Sequence, residues 1–200
     1  MADFVKQLDR RLGTVVTFAR QAPQQPVRLF CQDASRLGLP LPPRRRLTRA
    51  GVKPYQTVAP LYEYSWLYAA VEPATGEAFW WEMPQLDAAC FAVFLSRFAH
   101  QYADSLNLML LAGAPAHMAK WVVVPDNVVL LPLPAYSPEL NPVERLWEDL
   151  KHRIDVQDPH IRSNLAALRD HVAGIVRRYT PEVIASLTGY PYLVEATYAL

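Results

Sequence analysis

The chain has 200 residues, of which 52% are hydrophobic and 20% charged, and its formal net charge is +1. This composition excludes a disordered or fibrous protein, and the small charge means that nucleic-acid binding would need a local basic patch. Two cysteines, Cys31 and Cys90, are too few for a disulfide framework and are predicted to be reduced thiols. Without a membrane-length apolar run or a signal-peptide pattern, the chain is expected to be cytoplasmic and not bound to membranes.

The first half of the chain predicts a helix followed by three strands. Apolar residues recur at helical spacing over 3–20, and a proline-rich linker follows. A buried strand over 27–33 is predicted to end on Asp33. Two strands of aromatic and small residues lie between 58 and 83 and are joined by a hairpin turn at 72–76.

The second half predicts a helix, two central strands and then several helices. Asp87 caps the first helix, and apolar strands follow over 107–111 and 128–133. Asn141 caps a further helix, with Pro142 in the first position, where its missing N–H has no cost. The apolar stripe of that helix consists of Val143, Leu146, Trp147, Leu150 and Ile154. This succession of strands and helices is typical of an α/β fold.

Asp33 is the first candidate functional residue. A carboxylate at the end of a strand in an α/β sheet faces the crevice in which ligands bind. The alternative is a structural aspartate, either in a turn or paired with Arg36. Position alone leaves both interpretations open.

Glu144 is the second candidate. It lies three residues after Asn141, which is the spacing of a capping box, in which its carboxylate would accept a hydrogen bond from the N–H of the cap. The alternative is a metal ligand carried on a helix that packs against the sheet. Spacing by itself favours the capping box, since a carboxylate in the first turn also suits the helix dipole.

His117 and a cluster of basic residues complete the candidates. His117 follows a strand with no second His or Cys nearby, and this pattern is more typical of a packed or surface histidine than of a ligand. The basic cluster would either contact nucleic-acid phosphates or form a solvated turn. Its members are Arg44, Arg45, Arg46, Arg49 and Lys53.

The segment 131–151, LPLPAYSPELNPVERLWEDLK, resembles the third catalytic motif of bacterial insertion-sequence transposases related to the mariner elements, which are DDE-superfamily endonucleases. The segment 31–38, CQDASRLG, is similar to the first-aspartate motif of that family. The resemblance implies an RNase H-like mixed sheet flanked by helices, with an N-terminal helical arm and C-terminal helices. The domains are then a helix and linker over 1–26, a catalytic domain over 27–158 and a helical extension over 159–200.

The resemblance implies metal-dependent cleavage and strand transfer of DNA. Asp33 and Glu144 then correspond to the first and third catalytic carboxylates, which ligate Mg²⁺ or Mn²⁺ in the family. The basic cluster would contact DNA, and His117 and Asn141 belong to the same motifs. Expected partners are transposon ends, target DNA, a helix-turn-helix recognition subunit or upstream domain, and a second copy in a homodimer. The expected location is the bacterial cytoplasm, at the nucleoid when DNA is bound.

The second carboxylate of the family motif is missing. The family places an aspartate five residues before the histidine, and counting back from His117 puts that position on Ala112. Alanine offers no oxygen to a metal, and Glu148, one turn from Glu144, is a poor substitute. The sequence therefore predicts weak metal binding and impaired cleavage. The alternative is a non-catalytic transposase remnant or a DNA- or partner-binding protein.

Overall fold

The computed structural model describes residues 2–39, 48–53, 62–115, 117, 119–154 and 158–200. The elements in chain order are α1 (Ala2–Ala19), β1 (Val27–Gly38), β2 (Tyr64–Val71), β3 (Ala78–Met83), α2 (Ala88–Gln101), β4 (Leu106–Leu111), β5 (Val128–Pro132), a 3₁₀ turn (Pro138–Leu140), α3 (Val143–Arg153), α4 (Pro159–Ser163), α5 (Leu165–Val176), α6 (Pro181–Thr188) and α7 (Pro191–Tyr198). This order confirms the predicted succession of helices and strands. None of the described helices combines the length and the apolar character of a membrane span.

The strands form one mixed sheet in the order β3-β2-β1-β4-β5. The first three strands along the chain pair antiparallel, whereas β1, β4 and β5 run parallel to one another. Parallel strands need crossover connections, and α2 supplies the one between β3 and β4. The predicted α/β class is therefore confirmed, with helices on both faces of a mixed sheet.

Strand β1 is longer than predicted. It continues past Asp33 to Gly38, because β2 pairs with it antiparallel as far as Gly38 and Tyr64. Its parallel pairing with β4 stops earlier, at Cys31 and Leu110. The prediction that the strand ends on Asp33 is wrong, and the carboxylate lies inside a strand at the level where one neighbouring strand has ended.

Two hydrophobic clusters fill the two faces of the sheet. One face packs against α2 through aromatic side chains, and Phe91, Phe94 and Phe98 of that helix are buried there. The other face packs against α1 and the C-terminal helices in a single cluster. Buried side chains of this second cluster include Leu8, Leu12, Leu29, Leu146, Trp147, Leu168 and Leu193. Both cysteines are free; Cys31 is buried and Cys90 is half-buried.

Charged groups at the amino end of β1 are paired. The guanidinium of Arg28 donates two hydrogen bonds to the buried Glu72 carboxylate, at 3.1 and 2.7 Å, and also contacts Glu77. The turn that carries both carboxylates requires Gly76, which has φ +74° and lies against the start of α6. A Cβ at that position would lie 1.8 Å from the carbonyl oxygen of Pro181, so only glycine fits.

Candidate active site at the carboxyl edge of the sheet

The strand register brings Asp33 and Ala112 to the same level. Cys31 is opposite Leu110 in the parallel pair, so two residues further along each strand Asp33 is level with Ala112. Adjacent parallel strands are about 4.8 Å apart, and in-register side chains point to the same face of a sheet. A side chain at position 112 would therefore be a lateral neighbour of Asp33. Ala112 itself is exposed at the end of β4.

Asn141 attaches the start of α3 to the central strand. Its side-chain Nδ2 donates to the carbonyl oxygen of Gln32 at 2.9 Å, and its Oδ1 accepts from the N–H of Val143 at 3.2 Å. The helix begins at Val143 with Pro142 as its N-cap, so the prediction of Asn141 as the cap and Pro142 as the first helical residue is one residue too early. The Asn141 side chain nevertheless accepts a hydrogen bond from the first N–H of the helix. The residue directly before Asp33 and the first turn of α3 are held together by this one buried amide.

The capping-box interpretation of Glu144 is wrong. The N–H of Asn141 donates instead to the carbonyl oxygen of Pro138 at 2.8 Å, as part of the 3₁₀ turn that precedes the helix. The Glu144 side chain is exposed. It is therefore left available for another role at the first turn of α3.

Trp147 contacts Asp33 directly. The helix stripe predicted from the sequence buries Trp147, and its indole Nε1–H donates to Oδ2 of Asp33 at 2.8 Å. Sequence reasoning placed Trp147 only in the apolar stripe and missed this contact. The available signal was chemical, since a buried indole N–H usually has a hydrogen-bond acceptor and Asp33 is a buried-strand carboxylate.

The surroundings of Asp33 favour its protonated form. Burial is the largest cause and the charge of Glu144 the second; together they raise the pKa of Asp33 to about 6. Hydrogen bonds from the Ala34 N–H and from Trp147, and the positive charge of Lys151, oppose this rise. Glu144 lies three residues before Trp147 on α3, so it is on the face of the helix that contacts Asp33.

The alternative ion pair between Asp33 and Arg36 does not form. The two residues are three apart in β1, so their side chains point to opposite faces of the sheet. The guanidinium of Arg36 lies over the ring of Tyr64, 5.7 Å from its centroid.

His117 is packed and holds the loop after β4. Its ring lies against Phe91, with centroids 4.4 Å apart, and its Nδ1–H donates to the carbonyl oxygen of Ala112 at 2.7 Å. Burial lowers the pKa of His117. The five-residue spacing used to locate position 112 therefore corresponds to a direct hydrogen bond.

The described residues contain no group of three His, Cys, Asp or Glu side chains that could hold a metal ion. The other acidic residues considered for the missing position, Asp104, Asp126 and Glu148, are exposed. The oxygen donors that the described structure brings together here are those of Asp33 and Glu144.

The basic cluster is only partly within the described structure. Arg44, Arg45 and Arg46 lie outside the described residues. Arg49 and Lys53 are exposed on either side of Gly51, which has φ +84°. Their exposure fits both a phosphate-binding surface and a solvated turn.

The mixed five-stranded sheet, with α2 on one face and α3 on the other, has the RNase H-like fold. The family model for DDE superfamily endonucleases matches residues 28–165, and the chain belongs to this family. It is 30% identical over 89 residues to the uncharacterized protein y4pE/y4sA of Sinorhizobium fredii (strain NBRC 101917 / NGR234). The matched stretch covers 44% of this chain and 66% of that protein.

Solved structures of Mos1 transposase share the fold. The chain superimposes on a pre-cleavage Mos1 transpososome with a TM-score of 0.66 at 17% identity, over 97% of this chain and 61% of that chain. For a Mos1 paired-end complex with the left transposon end, the TM-score is 0.62 at 17% identity, over 97% and 59% of the two chains. This chain therefore spans about three fifths of the length of these transposase chains. It also spans just under two thirds of the curated relative.

Proposed function

We propose that the chain is the catalytic domain of a DNA transposase, in which Asp33 and Glu144 are the first and third catalytic carboxylates. The observation that carries the proposal is the meeting of β1 and α3. Asn141 and Trp147 hydrogen-bond the start of α3 to Gln32 and Asp33 of β1, so the first turn of α3, which carries Glu144, lies beside the strand that carries Asp33. Family membership and the transposase-like fold support this assignment.

The donor set fits a divalent cation that binds weakly. Mg²⁺ prefers oxygen ligands and is often held by one or two carboxylates together with water. Asp33 and Glu144 offer such oxygens, and two Mos1 paired-end complexes were solved with Mg and with Mn. A bound ion would polarise the phosphodiester and promote deprotonation of the attacking water.

The side chains around the pair would prepare it for this role. Trp147 donates to Oδ2 of Asp33, which fixes the rotation of the carboxylate. Asn141 keeps α3 attached to β1, so Glu144 stays beside Asp33. Burial first and the charge of Glu144 second raise the pKa of Asp33, and a bound divalent cation would favour its ionised form.

We further propose that Ala112 occupies the second carboxylate position and impairs cleavage. The strand register puts Ala112 beside Asp33, and the carbonyl oxygen of Ala112 accepts a hydrogen bond from His117; both observations support that assignment. Removal of even an indirect partner costs a metal site about 10–100-fold in affinity or activity, so removal of a ligand should cost at least as much. The alanine at this position favours, as a second candidate, a DNA-binding relative without cleavage activity.

The proposed partners follow from the same assignment. The Mos1 chains were solved with transposon-end DNA, and we propose transposon ends and target DNA as the ligands of this chain. Recognition of specific ends would come from a helix-turn-helix subunit or upstream domain, and a homodimer would bring two ends together. The basic cluster, including Arg49 and Lys53, would contact DNA phosphates.

The test is to restore the missing carboxylate. Without metal, Ala112→Asp should be no more stable than the parent, because three gathered carboxylates repel one another. At a Mg²⁺ concentration 100 times the Kd of the variant, the free energy of unfolding of the variant should rise by about 2.7 kcal/mol. At the same concentration, that of the parent should rise by much less. Melting temperatures with and without Mg²⁺ measure this difference, and nicking of supercoiled plasmid measures activity.

Ala112→Asn is the matched control, because it fills the same space without a charge. It should show a smaller response to Mg²⁺ than Ala112→Asp and no gain in nicking. An equal response of the parent and Ala112→Asp to Mg²⁺ would show that position 112 is not the missing ligand position. DNA binding without nicking by Ala112→Asp, in Mg²⁺ or Mn²⁺, would favour the non-catalytic candidate.

A further inference from the structure

Tyr136 has two unusual properties at once. Its side chain is 101% exposed, so it packs against nothing in the described part of the protein. Its backbone is in the left-handed region, with φ 56°, and it is the only residue other than glycine with a positive φ among the described residues. Bulky side chains rarely adopt this conformation, and it persists only where the surrounding structure enforces it.

The structure around Tyr136 enforces this conformation from both sides. On the strand side, the N–H of Leu133 donates to the carbonyl oxygen of Leu111 at 2.8 Å, which continues the sheet ladder past β5. On the helix side, Leu140 is buried and Asn141 is hydrogen-bonded to β1. Pro134 and Pro138 further restrict the backbone between these anchors. The loop thus presents the ring of Tyr136 to solvent on a fixed backbone.

The loop that carries Tyr136 lies at the same carboxyl edge of the sheet as the candidate active site. The loop leaves the carboxyl end of β5, next to β4, which ends at Leu111, directly before Ala112. It leads through the 3₁₀ turn into α3, which carries Glu144. The loop that presents the ring therefore lies between the carboxyl edge of the sheet, where Asp33 and Ala112 are, and the helix that carries Glu144.

We propose that Tyr136 is a stacking platform for an unpaired nucleobase of the DNA strand that occupies the site. This proposal rests on the proposed function and adds a binding contact to it. Any base can stack on a tyrosine ring, and an aromatic ring held on a fixed backbone loses little entropy on contact. A base inside an intact duplex is already stacked on both faces by its neighbours, so the contact favours an unstacked nucleotide at a single-stranded end.

The experiment compares Tyr136→Gly with the parent chain on two DNAs. One is a 20-base-pair blunt duplex; the other is the same duplex with a four-nucleotide single-stranded 3′ end that carries 2-aminopurine. We expect Tyr136→Gly to raise the Kd for the single-stranded end by about 5- to 150-fold, which corresponds to one stacked base. The Kd for the blunt duplex should change by less than about twofold, and the salt dependence of binding should not change because the tyrosine ring neutralises no phosphate.

Three further measurements separate stacking from damage to the fold. Glycine adopts positive φ without strain, so the melting temperature of Tyr136→Gly should be unchanged or higher. Tyr136→Phe keeps the ring and should keep both the affinity and the quenching of 2-aminopurine fluorescence. Tyr198→Ala removes a comparably exposed tyrosine, 81% exposed at the end of α7, and should change neither.

The failures of the two proposals are distinguishable. If the parent and Tyr136→Gly bind both DNAs equally, the stacking proposal alone is overturned. If the parent binds neither DNA at low salt, the proposed function is overturned and the stacking proposal with it.

Discussion

The two ends of the parallel part of the sheet differ in how their charged side chains are paired. At the amino end of β1, Arg28 neutralises Glu72 and Glu77 and also lies over the rings of Phe30 and Tyr102, 4.9 and 4.7 Å from their centroids. At the carboxyl end, Asp33 and Glu144 form no ion pair with any described residue, and the pKa of Asp33 is raised.

This difference separates stabilisation from function within one sheet. At the amino end, the buried charges are paired through hydrogen bonds, and the turn that carries the carboxylates requires glycine. Both features stabilise the fold. The carboxyl end gathers repelling carboxylates and a strained, exposed tyrosine, features that cost stability and persist at sites that act on a ligand. Substitutions at the two ends should therefore change stability in opposite directions.

The largest expected effect is at the turn of the amino end. Gly76→Ala would introduce a Cβ at 1.8 Å from the carbonyl oxygen of Pro181 and a side chain at φ +74°. We expect a decrease of roughly 4 kcal/mol or more in the free energy of unfolding, measured by urea denaturation. Gly13→Ala is the matched control, because it has open space within α1 and should gain up to about 1 kcal/mol. A decrease below about 1 kcal/mol in Gly76→Ala would show that the turn can shift away from α6.

Neutralising Asp33 should stabilise the protein at neutral pH. Its pKa is raised from 3.8 to about 6, so between these values the folded state binds more protons than the unfolded state and stability falls as pH rises. Asp33→Asn should remove this decrease and gain about 2 kcal/mol at pH 7, somewhat less than the full shift implies because Asp33 keeps some contact with water. The amide oxygen can still accept from Trp147.

The measurement is the difference in free energy of unfolding between variant and parent from pH 4 to 8. This difference isolates Asp33 from His117, whose lowered pKa produces the opposite slope. Asp149 on α3 is the control: burial opposes the change, but hydrogen bonds from Arg153 and Tyr179 lower its pKa. Asp149→Asn should therefore destabilise at pH 7. If the difference in free energy of unfolding between Asp33→Asn and the parent does not vary with pH, the pKa of Asp33 is not raised in the folded state.

Neutralising a carboxylate at the amino end should have the opposite sign to Asp33→Asn. Glu72→Gln keeps the shape of a buried side chain but removes the charge that faces Arg28. We expect a decrease of about 1–2 kcal/mol in the free energy of unfolding, below the cost of breaking a fully buried pair, because Arg28 retains Glu77 and some exposure. Thermal melting at pH 7 of Glu72→Gln beside Asp33→Asn compares the two ends directly. Stabilisation by both substitutions would remove the contrast between them.

The smallest effects are expected from the basic cluster, which should contribute to DNA binding and not to stability. Replacing Arg49 and Lys53 with glutamine should flatten the slope of log Kd against log salt by about one unit for each side chain that binds a phosphate. The reduction should be the same for all DNA sequences, since phosphate contacts carry no sequence information. Adding replacements of Arg44, Arg45 and Arg46 should flatten the slope further. An unchanged slope would show that the basic cluster contacts no phosphate and is a solvated turn.

Local sequence patterns determined most of the elements. Helical spacing located α3 with its buried face. Asp87 accepts from the N–H of Cys90 at 2.8 Å as the predicted cap of α2, and the turn at 72–76 joins β2 to β3. These features depend on interactions within a few residues, so the order of side chains along the chain is sufficient to predict them. The motif around Glu144 likewise indicated the family before any fold was known.

The tertiary structure alone decided how the site is assembled. Asp33 lies inside β1 because β2 extends that strand, and it is level with Ala112 because of the parallel register with β4. The contact between Trp147 and Asp33 joins residues 114 positions apart. Strand register and helix docking depend on which distant segments pair and pack, and a period along one segment carries no information about its partner.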